Sequence, residues 1–366
     1  MLPYISITVF TLLLGILFPD NKINKMHKTQ YLFIVFSILI IFMGLRGKSV
    51  GVDTAVSNDF YNRIANENSF TIYMNIINAA PVYSFYNKIL SFISPNPICL
   101  NIANAVVINA CFAYFIYQYS RNPVFSVYCY ITMYFYLFSY NGSRQSLAGA
   151  LCLLAFCLMK KGRCILPLVI ILSALGVHMT CIIFFPMFIL CSNRLKINTY
   201  QLILLFIGIG CVILRLLYKP ILSLAFYIMP AYQKYGQWLD EGRFQAQGRN
   251  VLVTIFYTAF VILHIIIIWK QHNSIVAQRK EDWQLILPSV FGLMLGLVFY
   301  KNALISGRVI LYFTCFMVVI LPNFIEQFSR GKFLLYSIIG FCLMFLLYYQ
   351  LHINYAGVMP YQFFWQ

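Results

Sequence analysis

Seven arginines, Arg46, Arg63, Arg144, Arg215, Arg243, Arg249 and Arg308, fall on the side of a hydrophobic chain opposite its lysine-rich loops, several at the lip of an apolar run. The clearest is Arg46, where the run Leu32–Leu45 passes directly into Arg46-Gly47-Lys48-Ser49-Val50-Gly51-Val52-Asp53-Thr54 and then Tyr61. Arginine suits a diphosphate, because its planar fork donates paired hydrogen bonds and stays charged at any relevant pH. If a group is cut from a lipid pyrophosphate, negative charge grows on the leaving oxygen, and cations placed there favour the transition state. Arg46, Arg144 and Arg308 are the best placed, each at a helix end beside Gly47, Ser143 or Gly307. For each of them, an interfacial arginine reaching toward lipid headgroups is the plainer alternative.

Other residues could complete such a site. Asn141-Gly142-Ser143-Arg144-Gln145 opens a helix whose N-terminal amides favour an anion, with Ser143 expected as its cap. The same run matches a glycosylation sequon, a weak coincidence of three residues. His178, the one histidine deep in an apolar segment, is a candidate general base, with a structural role as the alternative. Asp53 is the alternative base, or the partner that orients an arginine. Tyr232, Tyr235 and Trp238 ahead of Arg243 and Arg249 supply the aromatic faces and cations that bind sugars and phosphates.

The elements that must hold these residues follow from composition. The chain has 366 residues, is 61% hydrophobic and 10% charged, carries a net charge of +17 and has a mean hydropathy of +0.80. Continuous apolar runs of about twenty residues predict an all-α polytopic transmembrane bundle rather than a barrel, whose strands would alternate. The expected spans are 2–18, 31–45, 98–118, 124–140, 144–159, 164–191, 201–217, 250–269, 283–300, 304–322 and 333–349. The first is expected to be a retained span, since no basic residue precedes it and no small-residue cleavage site follows.

Short basic connections, including Lys22, Lys25 and Lys28, the Lys160-Lys161-Gly162-Arg163 cluster, and Arg330 with Lys332, belong inside. The pattern closes only if 164–191 is a re-entrant hairpin turning near Gly176-Val177-His178 and if 70–94 lies in the outer interface or dips and returns. The expectation is one membrane domain over 1–366, with outer segments 46–97 and 218–249. The eleven cysteines lie in or beside apolar runs and read as small core residues. Scattered basic residues without a basic helix argue for acidic lipids and a phosphorylated lipid substrate rather than nucleic acid. No Walker loop, GxGxxG, HExxH, GxSxG or Asp-x-Asp pair is present, so no metal or other cofactor is expected.

In order along the chain, Arg46…Val50-Gly51-x-Asp53-Thr54…Tyr61, Arg144-Gln145, His178 and Arg308 with Tyr312-Phe313 resemble the EpsG-like branch of Wzy-type O-antigen and capsular polysaccharide polymerases. The resemblance implies a metal-independent glycosyltransferase of GT-C-like fold in the bacterial inner membrane, working on undecaprenyl-pyrophosphate-linked oligosaccharides at the periplasmic face. It implies Arg46, Arg144 and Arg308 as pyrophosphate clamps and His178 as base. Asp53 is kept as a further catalytic candidate, and Tyr61, Gln145, Tyr232, Tyr235, Arg243 and Arg249 as substrate contacts. A chain-length regulator and a flippase are the candidate protein partners. One departure is visible, because Ala80 precedes Pro81-Val82-Tyr83 where many relatives carry an acid. An O-antigen ligase-like transferase, a lipid-linked oligosaccharide flippase or transporter and a membrane O-acyltransferase remain the alternatives.

Overall fold

The computed structural model describes residues 1–18, 25–67, 80–191, 195–196, 199–228, 276–298, 310–326, 332–354 and 356–366, with isolated positions between 258 and 269. In chain order the helices are α1 (Leu2–Leu17), α2 (Lys25–Gly44), α3 (Thr54–Asn66), α4 (Pro81–Ile93), α5 (Ile98–Tyr119), α6 (Pro123–Thr132), α7 (Phe135–Asn141), α8 (Ser143–Lys160) and α9 (Ile165–Val177). A 3-10 stretch, Met179–Phe184, leads to α10 (Met187–Leu190), α11 (Thr199–Ile228), α12 (Val276–Val298), α13 (Met317–Glu326) and α14 (Lys332–Met344), which runs on as a widened turn through Phe345–His352. Among the described residues, the segments Met26–Gly44, Ile98–Tyr119, Gln278–Val298 and Leu335–His352 are long and apolar enough to cross a membrane, and others such as Leu2–Leu17 and Ile165–Val177 are apolar but shorter. The architecture is that of a polytopic helical membrane protein.

Two compact units form, one from Met1–Cys181 with Met317–Gln366, the other from Ile182–Phe316. In the first, exposed apolar side chains such as Leu13, Leu17, Phe33 and Leu172 surround a core rich in tyrosine. Hydrocarbon offers no hydrogen-bond partners, so these hydroxyls bond to neighbouring helices. Tyr31 donates to the Thr11 carbonyl, Tyr130 to Asn109 Oδ1, Tyr136 to the Leu39 carbonyl and Tyr128 to that of Ile339.

The two ends of this unit are chemically distinct. At one, Lys28 Nζ bonds the Ser120 carbonyl, Asn323 bridges the Arg121 amide and the Tyr119 carbonyl, and Lys161 reaches Tyr114. At the other, Tyr4 bonds the Val358 carbonyl and the chain after α2 meets both Asn141 and the C-terminal tail. Residues 28, 119–121, 161 and 323 thus gather in one set of contacts, and residues 4, 53, 141 and 358 in another.

Three sequence expectations are corrected. The span 124–140 is not one helix, because α6 and α7 are separated at Tyr134, whose left-handed φ of 79° breaks the helical path. Ser143 does not cap α8; Gly142 holds that position without a side-chain bond, and Ser143 is the first helical residue. Finally, α2 begins at Lys25 rather than Tyr31. Within the apolar segment 164–191, α9 ends at Val177 with His178 as its C-cap, and the boundary between the two units falls later, between Cys181 and Ile182.

In the second unit, Gly292 and Gly296 on α12 leave room for Phe313 and Ile310, since a Cβ at either glycine would lie within 2.3 Å of those side chains. Small residues at i and i+4 are the usual device for close helix approach in membranes. Arg215 Nη1 bonds the Val298 carbonyl at 2.6 Å, joining α11 to the C-terminal end of α12. Gln284 Nε2 donates to the Cys191 carbonyl at 3.3 Å, fixing the other end of α12.

Candidate active site

The site is built on the turn between α2 and α3. Gly51 sits there with φ +95°, and a Cβ on it would come within 2.4 Å of the Tyr140 carbonyl oxygen. Glycine is required on both counts, backbone sign and contact. The close approach lets Thr54 Oγ1 lie 2.7 Å from the Val50 carbonyl and 3.1 Å from that of Tyr140. It also brings the Asp53 amide to Asn141 Oδ1 at 3.1 Å. The sequence-distant segments 46–54 and 140–145 are thereby tied into one corner.

Arg46 is turned inward beneath that corner, 1% exposed. Nη1 donates to the Met43 carbonyl, Nε to Thr54 Oγ1 at 3.4 Å, and the guanidinium carbon stands 5.2 Å from the centre of the Tyr140 ring. Among the described residues no carboxylate pairs with it. Hydrogen bonds and the ring face offset part of its desolvation, leaving a positive charge not neutralised by a neighbour.

Arg144, two residues into α8, is exposed, and its guanidinium carbon lies 5.6 Å from the Tyr83 ring centre. Tyr83 is held by Ser57, with the two hydroxyls 3.2 Å apart, and by stacking on Phe60 at 5.9 Å. Asp53 is exposed at the N-cap position of α3. Tyr61, buried on α3, donates to the Ser94 carbonyl at 2.6 Å, and burial pushes its hydroxyl up to about 12, so it acts as a neutral donor. That bond positions the α4–α5 connection and directs Tyr61 away from solvent. Gln145 is buried in the first turn of α8.

His178 caps the C-terminal end of α9, half-buried, with Nδ1 2.7 Å from Thr180 Oγ1. Two residues earlier, Gly176 packs so closely on Val82 that a Cβ would meet its Cγ2 at 2.2 Å. Val82 adjoins Tyr83, so the first turn of α4 joins the His178 break to the Arg144 platform. The sequence singles out Pro81-Val82-Tyr83 only for the Ala80 that precedes it. In the fold, Tyr83 is the residue that carries Arg144.

Arg243, Arg249, Arg308, Tyr232 and Tyr235 lie outside the described residues. Arg46, Asp53 and Arg144 are tied to this corner through the contacts above, Gln145 follows Arg144 in the first turn of α8, and His178 is linked to it through Gly176 and α4. The element that sequence reasoning missed is the C-terminal tail. Gly47 N donates to the Gln362 carbonyl at 2.8 Å, Phe364 N to that of Leu45 at 2.9 Å and Gly51 N to that of Gly357 at 2.8 Å. The aromatic run Tyr361, Phe363, Phe364 and Trp365 was its available signal. Among the described residues, no three His, Cys, Asp or Glu side chains converge as metal ligands.

The EpsG family profile matches residues 29–363. The chain belongs to the EpsG family. EpsG-like proteins are similar to Wzy-type polymerases, and membership points to a membrane-embedded, glycosyltransferase-like polymerase in polysaccharide biosynthesis. The match ends at Phe363, so it takes in the tail as well as the α2–α3 turn. No curated protein and no solved structure matches the chain.

Proposed function

We propose that this EpsG-family protein is a surface-polysaccharide polymerase that transfers a growing glycan from undecaprenyl pyrophosphate to the terminal sugar of a lipid-linked repeat unit, at the periplasmic face of the inner membrane. The supporting observation is the corner itself, where an exposed Arg144 rests on Tyr83, the Asp53 amide is tied to Asn141, and the buried Arg46 faces Tyr140 with no carboxylate partner among the described residues. Fixed positive charge near a low-dielectric boundary acts on the pyrophosphate as it gains charge. Arg144 contacts the phosphates, while Arg46 acts on them through its field and through the turn it holds; Arg308 is kept as a third clamp on the family resemblance alone. The proposed fold is GT-C-like, with 164–191 re-entrant.

In the reaction, the acceptor hydroxyl oxygen bonds to the anomeric carbon of the donor glycan. The bond from that carbon to the pyrophosphate oxygen breaks, and its electron pair leaves with the lipid pyrophosphate. The hydroxyl proton passes to His178, held by Thr180, or to Asp53 as the alternative base. No metal is invoked, since guanidinium groups neutralise the leaving group. Arg243, Arg249, Tyr232 and Tyr235 are proposed to hold the sugars. Membrane lipids surround the bundle, and a flippase and a chain-length regulator act alongside it.

Deleting the gene from the bacterium that carries it and separating the surface polysaccharide on a gel tests this reading. A ladder collapsed to single repeat units, restored by the wild-type gene, is the expected result. Complete absence of surface sugar would instead indicate flipping or ligation, and an unchanged ladder would remove the polymerase assignment.

A further inference from the structure

The Arg46 turn is enclosed by a segment more than three hundred residues away. Tail residues 356–364 run alongside 45–52 with backbone hydrogen bonds at both ends of the turn, and Arg46 pairs with Phe363 as an antiparallel bridge. Side chains add to this, with Ser49 Oγ donating to Gln362 Oε1 at 3.0 Å and Tyr361 donating its hydroxyl to the Phe42 carbonyl at 2.8 Å. The Tyr361 ring stands edge-on to Tyr4, which is itself edge-on to Tyr140, the ring that faces Arg46. The tail folds tightly to do so. Gly357 has φ +64°, and a Cβ there would lie 2.8 Å from Val52 Cγ2. Asn354 closes a loop with Met359, its Nδ2 and Oδ1 bonding the carbonyl and amide of that residue at 2.8 and 2.9 Å.

We propose that the C-terminal tail is a working part of the donor site, with Tyr361 a positioning residue that fixes Arg46 and the 46–54 turn where the lipid pyrophosphate is held. Arg46 has no carboxylate partner among the described residues, so its orientation depends on neutral neighbours. The Met43 carbonyl, Thr54 Oγ1 and the Tyr140 ring supply these, while Phe363 of the tail pairs with the Arg46 backbone. Without the tail the buried guanidinium gains access to water, the turn loses its backbone partners, and Asp53 and Gly51 are no longer set against Tyr140 and Asn141. The inference rests on the polymerase reading and adds to it a specific requirement on the donor side.

The test uses the full-length membrane protein in lipid nanodiscs with a lipid-pyrophosphate-linked repeat unit, comparing wild type, Tyr361→Ala, Tyr361→Phe and a chain ending at Gly357. Docking is read separately, by a short bis-maleimide linking Ser49→Cys to Gln362→Cys, with the cross-linked peptide identified by mass spectrometry. Tyr361→Ala and the truncation should raise the apparent KM for the donor at least tenfold and leave that for the acceptor within twofold. Tyr361→Phe, which keeps the ring and loses only the bond to Phe42, should restore most of the rate. A role in folding alone would lower the amount of active protein and leave both KM values unchanged, which would overturn the inference. Absence of the cross-link, or wild-type donor KM in the truncated chain, would overturn it too. Failure of the wild-type chain to extend the glycan would instead remove the polymerase reading, and this inference with it.

Discussion

Gly51, Arg46 and Arg144 divide the work at the residue scale, one by shape and two by charge. Replacing Gly51 by alanine forces a Cβ against the Tyr140 carbonyl and strains a left-handed backbone, so the turn must shift. Polymer length in Gly51→Ala cells should fall sharply at near-normal protein level, which a gel and an immunoblot measure together. Arg144→Ala should abolish extension, and Arg144→Lys should restore it only partly, because a point charge cannot make paired phosphate contacts. A His178→Gln chain that still polymerises would move the base role to Asp53. The sequence exposed Arg46 and Arg144 equally as cations at a helix lip. Their opposite fates, one buried under Tyr140 and one exposed on Tyr83, depend on contacts to residues tens of positions away, and no local pattern encodes them.

Among the elements, the short helices around the corner carry more functional information than the long spans. Helix α4 is about 20 Å long by its rise, too short to cross the hydrocarbon, and its buried face holds Tyr83, Ser84, Asn87 and Leu90. Long apolar runs such as α5 and α8 were legible within a residue or two, because hydropathy alone fixes them. The break between α6 and α7 was not, since neither glycine nor proline marks Tyr134. It falls between Tyr130 and Tyr136, whose hydroxyls bond different helices, α5 and α2. In the same unit, Asn323 satisfies one part-buried donor, the Arg121 amide, and one part-buried acceptor, the Tyr119 carbonyl at the end of α5. Asn323→Leu should therefore destabilise the protein by about 1 kcal/mol, the net worth of such partly buried hydrogen bonds. A lowered thermal midpoint in detergent with unchanged KM values is the expected signature.

For the whole molecule, the charge pattern predicts a sidedness that labelling can test. Lys28, Lys161 and the α5–α6 connection meet at one end of the first unit, while Tyr4, Arg46, Arg144 and the tail meet at the other. In a Cys99→Ser background, a membrane-impermeant maleimide added to cells with a permeabilised outer membrane should label Ser49→Cys, and should reach the exposed Cys164 only after lysis. Reversed labelling would invert the orientation. The expectation rests on lysine placement, which follows membrane insertion. The tail was not legible, because its bonds join the two ends of the chain. The most direct measurement is extension by the purified protein in nanodiscs supplied only with undecaprenyl-pyrophosphate-linked repeat units. Wild type should lengthen the lipid-linked glycan and release one lipid pyrophosphate per new linkage, with Arg144→Ala inactive. No lengthening by the wild-type protein, or equal lengthening by Arg144→Ala, would contradict the role assigned to this corner.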